Sequence, residues 1–185
     1  MTGLMTPTDL LTELRSGKHE SLDRLVPLVY EELRVIAHRQ LTAMGRGGTL
    51  QTTALVHEAY LKLVDQSRAK LNDRAHFLAV ASIAMRHVLV DRAKARAALK
   101  RGGDQRRITL DEEEIAVDDQ PEALLQLHEA LNQLALLQPR LARVVECRFF
   151  GGLSEEEIAQ ALDITVRTVQ RDWVKARLLL RRALE

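Results

Sequence analysis

The chain has 185 residues, a single cysteine and a formal net charge of +1, because 27 lysines and arginines nearly balance 26 aspartates and glutamates. The lone Cys147 excludes a disulfide framework, and its position between Val145 and Phe149 suggests a small buried side chain. We detect neither a secretory signal nor an apolar run of membrane-spanning length, so we expect a cytoplasmic protein with no membrane partner. Scarce aromatic residues and widespread helical periodicity predict an all-α fold.

The first part of the chain predicts a short helix near residues 8–15 and a long helix that ends before Gly45. Apolar residues recur along the long helix at three- and four-residue steps, as expected for one buried face. They are Leu22, Leu25, Val29, Leu33 and Ile36. The glycine cluster at residues 45–48 lacks the Lys-Ser/Thr ending of a phosphate-binding P-loop, so we interpret it as a flexible connection.

Two further helices are predicted after the glycine cluster. The first covers about residues 51–64 and is followed by a polar loop over residues 65–74. The second begins near His76 and continues through Phe77 into a run of basic residues. Together with the long helix, these elements predict a three- or four-helix bundle.

The sequence predicts neither a catalytic site nor a metal site. His57 and Glu58 match the first half of a zinc-protease motif, but Leu61 stands where the second histidine is needed. The other histidines lack metal-ligand spacing, and we find no Ser-His-Asp, paired-carboxylate or cofactor pattern. We therefore expect a protein that is not an enzyme and uses no cofactor.

Charge is distributed along the chain in blocks. Residues 86–107 hold eight basic side chains against two acidic ones, whereas residues 111–122 hold seven acidic side chains and no basic one. An acidic run without helical periodicity is typical of a solvated linker. We therefore predict two small helical domains, residues 1–107 and 123–185, joined by an acidic flexible linker over residues 108–122.

The C-terminal segment has the pattern of a helix-turn-helix. Ser154 and Glu157 are spaced as a capping box at the start of one helix, and Asp163 tolerates the left-handed conformation of a tight turn. Thr165 then caps a second helix. The same pattern also fits a plain amphipathic hairpin with a solvated face. DNA reading is the interpretation that we favour.

The second helix of this motif separates apolar from basic residues. Its predicted buried stripe consists of Val166, Val169, Trp173, Ala176, Leu180 and Ala183, with Trp173 as a core anchor rather than a base-stacking residue. Its opposite face carries Arg167, Arg171, Lys175 and Arg182. A recognition helix inserts such side chains into the major groove, where arginine and glutamine pair with base edges.

Several segments resemble bacterial sigma factors of the extracytoplasmic-function type, which retain only sigma regions 2 and 4. Residues 55–63, Leu-Val-His-Glu-Ala-Tyr-Leu-Lys-Leu, are similar to the region 2 helix that docks on the clamp coiled coil of the RNA polymerase beta-prime subunit. Residues 77–93 resemble the next helix, which family members place against the minus-ten element, and residues 134–159 resemble region 4. The resemblance implies a sigma factor that directs promoter-specific transcription initiation.

The resemblance also implies three binding surfaces. The surface for core RNA polymerase comprises Leu55, Glu58, Ala59 and Lys62. The region 2 surface for DNA phosphates comprises Arg86, Arg92, Lys94 and Arg96. It lies beside a loop at residues 65–74 that would trap flipped bases. The alternative for Arg86 is that its side chain faces solvent and contacts no phosphate. The region 4 surface for the minus-thirty-five element comprises Arg167, Thr168, Gln170 and Arg171, with Lys175 on phosphates. The resemblance also implies a second polymerase contact, in which region 4 binds the beta flap.

One departure from the family pattern suggests a regulatory site. Many members carry Asp-Ala-Glu-Asp before the polymerase-binding motif, whereas this chain has Gln-Thr-Thr-Ala at residues 51–54. A phosphate on Thr53, or less favourably on Thr52 or Thr49, would restore negative charge at a helix N-terminus. A Ser/Thr kinase is then the expected activating partner in place of an anti-sigma factor. The competing interpretation makes Thr52 or Thr53 an ordinary N-cap.

Two other functions compete with this interpretation. A stand-alone transcriptional regulator would use the same helix-turn-helix but give no role to residues 55–63. A nucleic-acid-processing enzyme would need a metal or nucleophile constellation, which the sequence does not reveal.

Overall fold

The computed structural model describes residues 9–10, 12–13, 20–43, 51–65, 73–99 and 121–185. All regular structure in these residues is helical, which confirms the all-α class. The helices are α1 (Glu20–Ala43), α2 (Thr52–Asp65), α3 (Arg74–Leu99), α4 (Pro121–Leu137), α5 (Pro139–Val145), a π-helical segment (Glu146–Phe150), α6 (Glu155–Leu162) and α7 (Val166–Leu184).

The N-terminal half is a bundle of α1, α2 and α3. Helix α1 buries the predicted stripe, with Leu25, Val29, Leu33 and Ile36 in the core, and it ends at Ala43, before the glycine cluster as predicted. The side chain of Leu22 lies outside the described residues. Residues 9, 10, 12 and 13 are helical, in agreement with the short opening helix.

Helix α3 is the central helix of the fold. The Asp73 carboxylate caps its first turn by accepting a 2.8 Å hydrogen bond from the His76 amide. Buried side chains occur around most of its circumference and include Phe77, Ala81 and Met85. A helix that is apolar on nearly all sides has neighbours on more than one side. Helix α3 accordingly packs against α1 and α2 on one side and α4, α6 and the π-helical segment on the other.

The C-terminal half is built from α4 to α7. Pro139 starts α5, where a missing amide proton costs no helical hydrogen bond. Helix α7 packs against α4, α5 and α6, and buried Val169, Ala176 and Leu180 line its inner face. These contacts fix the helix-turn-helix on a helical support.

The described parts of the two halves share one hydrophobic cluster. It runs from Leu25 and Phe77 in the N-terminal bundle to Leu131 and Leu180 in the C-terminal half. The predicted acidic linker lies outside the described residues except for its last two, so the proposed domain boundaries stay a prediction. None of the helices in the described ranges combines the length and apolar character of a membrane span.

Candidate nucleic-acid interface

The helix-turn-helix has the local geometry that the sequence predicts. The Ser154 hydroxyl accepts a hydrogen bond from the Glu157 amide at 3.2 Å, and the Glu157 carboxylate accepts one from the Ser154 amide at 2.9 Å. Asp163 adopts the left-handed conformation, with φ 54°. The Thr165 hydroxyl caps α7 by accepting a hydrogen bond from the Thr168 amide at 3.2 Å. Capping box, turn and second cap are thereby confirmed.

The inner face of α7 agrees with the predicted stripe except at its ends. Val169, Ala176 and Leu180 are buried, and Val166 is half-buried. The predicted burial of Ala183 is wrong: it is exposed near the C-terminal end of α7.

Trp173 is half-buried and packs against the hydrophobic cluster shared by the two halves and against a second cluster, which includes Val144, Ile158 and Val169. This position fits its predicted role as an anchor. Two guanidinium groups lie over its ring, that of Arg148 at 4.8 Å and that of Arg177 at 5.8 Å from the centroid. These cation–π contacts use the ring faces within the protein. Trp173 is therefore a packing residue in this arrangement.

The outer face of α7 presents most of the predicted base-reading residues together. Arg167, Gln170, Arg171 and Lys175 are exposed and share one side of the helix. Thr168 is half-buried, and its hydroxyl lies 2.9 Å from the Thr165 hydroxyl, so it acts in capping α7.

Contacts between α6 and α7 set the position of one of these side chains. The Gln170 amide donates a 2.7 Å hydrogen bond to the Glu155 carboxylate, which also accepts one from Arg148 at 2.7 Å. Hydrogen bonds from Gln170 and then Arg148 lower the pKa of Glu155, so this carboxylate stays ionised and keeps accepting them. Gln170 is thus held against α6 until another acceptor replaces Glu155.

A buried carboxylate that the sequence analysis missed clamps α7 to α5. Asp172 is buried and accepts hydrogen bonds from Arg140, at 2.5 Å from Nε and 3.3 Å from Nη2. In the sequence, Asp172 lies between Arg171 and Trp173, and an acidic residue next to an exposed arginine suggests a solvent-exposed side chain. The available signal was its place three residues after Val169, on the edge of the buried stripe.

The predicted region 2 cations separate into different environments. Arg92 and Lys94 are exposed on α3, and Arg92 forms an ion pair with Glu58 of α2. The side chain of Arg96 lies outside the described residues, as do residues 66–72 of the proposed base-trapping loop.

The burial of Arg86 contradicts the alternative in which it faces solvent, and it leaves this side chain without a surface position for a DNA phosphate in this structure. Arg86 is 3% exposed, and its Nη2 donates a 2.6 Å hydrogen bond to the buried Glu146 carboxylate from the other half of the molecule. A buried guanidinium requires such a partner. The signals in the sequence were the long apolar stretch around Arg86 and the apolar neighbours of Glu146.

Two of the four residues assigned to polymerase binding also lie elsewhere than expected. Leu55 and Ala59 are 0% and 1% exposed, since the stripe they form faces the bundle core. Glu58 and Lys62 are half-buried at the surface, and Lys62 pairs with Asp91 of α3 at 2.7 Å. The exposed apolar residue on this side of α2 is Leu61, which the sequence analysis did not include.

The N-terminus of α2 excludes an N-cap role for both threonines in this structure. The first hydrogen bond of the helix joins the Leu55 amide to the Gln51 carbonyl at 3.0 Å, which makes Gln51 the N-cap. Thr52 is half-buried and Thr53 is exposed. Thr53 borders a surface pocket of about 280 Å³ between α1 and α2.

The described residues contain no group of three or more His, Cys, Asp or Glu side chains able to hold a metal ion. Cys147 is buried as predicted, and burial raises the pKa of its thiol to about 12. A thiol of this kind is unreactive near neutral pH.

The family model described as ECF sigma factor matches residues 5–185. Comparison with curated proteins gives no significant match. Because the family model covers nearly the entire sequence, this chain belongs to the extracytoplasmic-function (ECF) sigma factor family.

Proposed function

We propose that this protein binds core RNA polymerase and directs it to specific promoters for transcription initiation. The observation that carries the proposal is the exposed cationic face of a capped recognition helix in a chain that matches the ECF sigma factor family over residues 5–185. The polymerase carries out RNA synthesis, and this protein supplies promoter recognition.

The C-terminal half is the proposed reader of the minus-thirty-five element. Arg167, Gln170 and Arg171 have the donor groups that pair with guanine and adenine edges in the major groove. Lys175 lies one turn beyond Arg171 and is suited to a phosphate. The exposure of these side chains supports the assignment. We also assign the beta-flap contact to this half.

The N-terminal half is the proposed binder of the minus-ten element. Exposed Arg92 and Lys94 on α3 supply positive charge, and Arg96 follows them in the sequence. Each phosphate that such a cation neutralises makes DNA binding more sensitive to salt. Replacing Lys94 with alanine should therefore weaken binding to all sequences alike.

The proposed polymerase surface is the outer side of α2, with Glu58 and Lys62 one turn apart and Leu61 between them. Both charged groups form ion pairs to α3, with Arg92 and with Asp91, so the surface is held in a defined geometry. Partly exposed ion pairs at a surface add little to stability, so we assign these charges to recognition.

Reversing both charges tests this surface. Glu58→Lys with Lys62→Glu should abolish co-purification with core RNA polymerase, because two complementary contacts become repulsive. The matched control reverses Glu31 and Arg34, an exposed 3.1 Å ion pair on α1. If both double variants bound core RNA polymerase equally well, the assignment of the outer side of α2 to polymerase binding would be wrong. Specific DNA binding by the wild type without any affinity for core would instead indicate a stand-alone regulator.

We further propose that Thr53 is phosphorylated by a Ser/Thr kinase. The support for this site is the exposed Thr53 hydroxyl in the first turn of α2. That turn contains no acidic residue, although a helix N-terminus favours negative charge.

Thr53→Glu should bind core RNA polymerase more tightly than the unmodified wild type, whereas Thr53→Ala should not respond to kinase treatment. Thr42→Glu is the control, since Thr42 is exposed on α1. Full activity of unmodified protein and of Thr53→Ala would leave an anti-sigma factor as the regulator.

A further inference from the structure

Gln170, one of the proposed base-reading residues, is the outer end of a chain of hydrogen bonds that joins three helical elements. Arg148 of the π-helical segment donates to Glu155 Oε1 at 2.7 Å, and Gln170 of α7 donates to Glu155 Oε2 at 2.7 Å. Each oxygen of one carboxylate therefore accepts a different donor. Glu155 is the first residue of α6, so the capping box that starts this helix also fixes its backbone.

The inner end of this chain is held by packing. The Arg148 guanidinium lies 4.8 Å from the centroid of the Trp173 ring, and the Arg148 side chain is only 30% exposed. The Glu155 side chain is 28% exposed. Side chains that are already held in place lose little further freedom when a ligand binds. Arg148 thus anchors Glu155, and Glu155 anchors Gln170.

The Gln170 amide has one orientation that satisfies Glu155. Hydrogen bonds from Gln170 and then Arg148 lower the pKa of Glu155, and an ionised carboxylate accepts hydrogen bonds but has no proton to donate. The amide nitrogen of Gln170 must therefore point toward Glu155 and its carbonyl oxygen away from it. Glu155 leaves this carbonyl oxygen and the second N–H unoccupied, on a side chain that is exposed.

This orientation matches adenine and opposes guanine. In the major groove adenine presents the N7 acceptor beside the N6 amine, a pattern that one amide N–H and one amide carbonyl satisfy together. Guanine presents the O6 acceptor in place of that amine, so a fixed carbonyl would face a second acceptor. An amide that rotates freely would instead turn its nitrogen toward O6.

We propose that Glu155 determines the base specificity of Gln170 by holding its amide in the orientation that reads adenine. The inference rests on the proposed function, since it requires α7 to enter the major groove, and it adds the base that one residue selects. Glu155 is a positioning residue, because it acts on the base through Gln170. Loss of its charge should change which base is preferred at one position, rather than the affinity for all sequences.

Promoter selection with Glu155→Gln tests this role. The substitution keeps the length of the side chain, but an amide at position 155 both donates and accepts, so it satisfies Gln170 in either orientation. The protein and core RNA polymerase select templates from a library randomised in the upstream element. Gln170→Ala identifies the position that Gln170 reads, because the preference for one base should disappear there.

The expected result is a change at that single position. Wild type should prefer adenine over guanine there, and Glu155→Gln should lower this preference about fivefold or more, while the other positions keep theirs. The matched control is Glu156→Gln, which removes an exposed charge from the same turn of α6 and should leave the preference unchanged. An undiminished preference in Glu155→Gln, or an equal loss of binding to all templates, would overturn the inference.

The same selection by the full chain without polymerase separates this inference from the proposed function. Selection that needs no polymerase would contradict a sigma factor, yet it would still measure the effect of Glu155 on the preferred base. A wild type that prefers a base other than adenine at the position read by Gln170 would contradict the inference alone. If neither selection revealed a position that depends on Gln170, the inference would be wrong.

Nuclear magnetic resonance of the Gln170 side-chain amide supplies a readout without DNA. In wild type, one of its two amide protons should be shifted away from the values of a solvent-exposed glutamine. Glu155→Ala, which removes the acceptor, should abolish this shift, and Glu156→Ala should retain it. Backbone resonances report whether each variant keeps its fold. Identical Gln170 side-chain signals in wild type and a folded Glu155→Ala variant would refute the positioning role.

Discussion

Individual side chains on α7 differ in what they can contribute to recognition. Arg171 presents a planar guanidinium from the exposed face, and its Nε lies 3.9 Å from a carboxylate oxygen of Asp172. Lys175 carries a single ammonium group without a fixed hydrogen-bonding plane. The first is suited to a base edge and the second to a phosphate.

Alanine substitution separates these two roles. Arg171→Ala should cost about 1–3 kcal/mol of discrimination between minus-thirty-five variants, whereas Lys175→Ala should weaken binding to all of them equally. Competition binding on a panel of upstream-element variants measures both. A uniform loss in both variants would show that α7 docks in a different orientation.

The histidine at the contact between the halves couples stability to pH. Burial, followed by the charges of Arg86 and His128, lowers the pKa of His87 to about 4. In the unfolded chain the same imidazole titrates near pH 6.5. Between these values the unfolded chain binds more protons, so the free energy of unfolding is highest above about pH 6.5 and decreases as the pH falls toward 4.

Denaturant unfolding at about pH 7 and pH 5 tests this coupling. Between these two pH values, His87 should lower the free energy of unfolding by about 1 kcal/mol. This is roughly half of what its full pKa shift would give, because the ring is partly solvated. His87→Gln should lose this part of the pH dependence, whereas His38→Gln, at an exposed position on α1, should retain it. Identical pH profiles for the two variants would rule out His87 as the source.

At the scale of elements, helix ends explain why the helix-turn-helix forms where it does. Ser154 and Thr165 each satisfy an amide that the first turn of the following helix leaves free. Asp163 reverses the chain between the two helices in a left-handed conformation. These are local interactions between residues close in sequence.

Removing a cap should destabilise the C-terminal half by a predictable amount. Ser154→Ala and Thr165→Ala should each lower the free energy of unfolding by about 1 kcal/mol, because one amide per helix loses its partner. Thr42→Ala is the control, since the Thr42 hydroxyl donates a hydrogen bond to the preceding turn of α1, at the His38 carbonyl at 2.8 Å, and does not cap a helix N-terminus. Chemical denaturation followed by circular dichroism measures all three, and equal stability throughout would contradict the capping account.

The sequence predicted those features that depend on neighbouring residues. The capping box, the turn at Asp163, the stripe of α1 and the exposed side of α7 all follow from spacing over a few positions. The burial of Arg86 did not follow, since its partner Glu146 lies sixty residues away and Arg86 was grouped with the basic residues that come after it in the sequence. Long-range packing, which composition does not encode, decided this position.

At the scale of the whole molecule, the described parts of the two helical halves pack against each other and share a hydrophobic cluster. The basic outer face of α7 is exposed, whereas α3 is covered on one side by the C-terminal half. The residues that we propose for DNA binding on α3 and α7 lie where this packing leaves the two helices exposed.

Run-off transcription with core RNA polymerase on a randomised promoter library tests the central claim most directly. We predict that the protein makes core enzyme produce discrete transcripts from a subset of templates, and that the selected templates share two upstream elements at fixed spacing. Core enzyme alone should not select them, and the Glu58→Lys, Lys62→Glu variant should not restore selection. Transcription that is independent of the added protein, or selection of templates without any shared element, would contradict a role as a sigma factor.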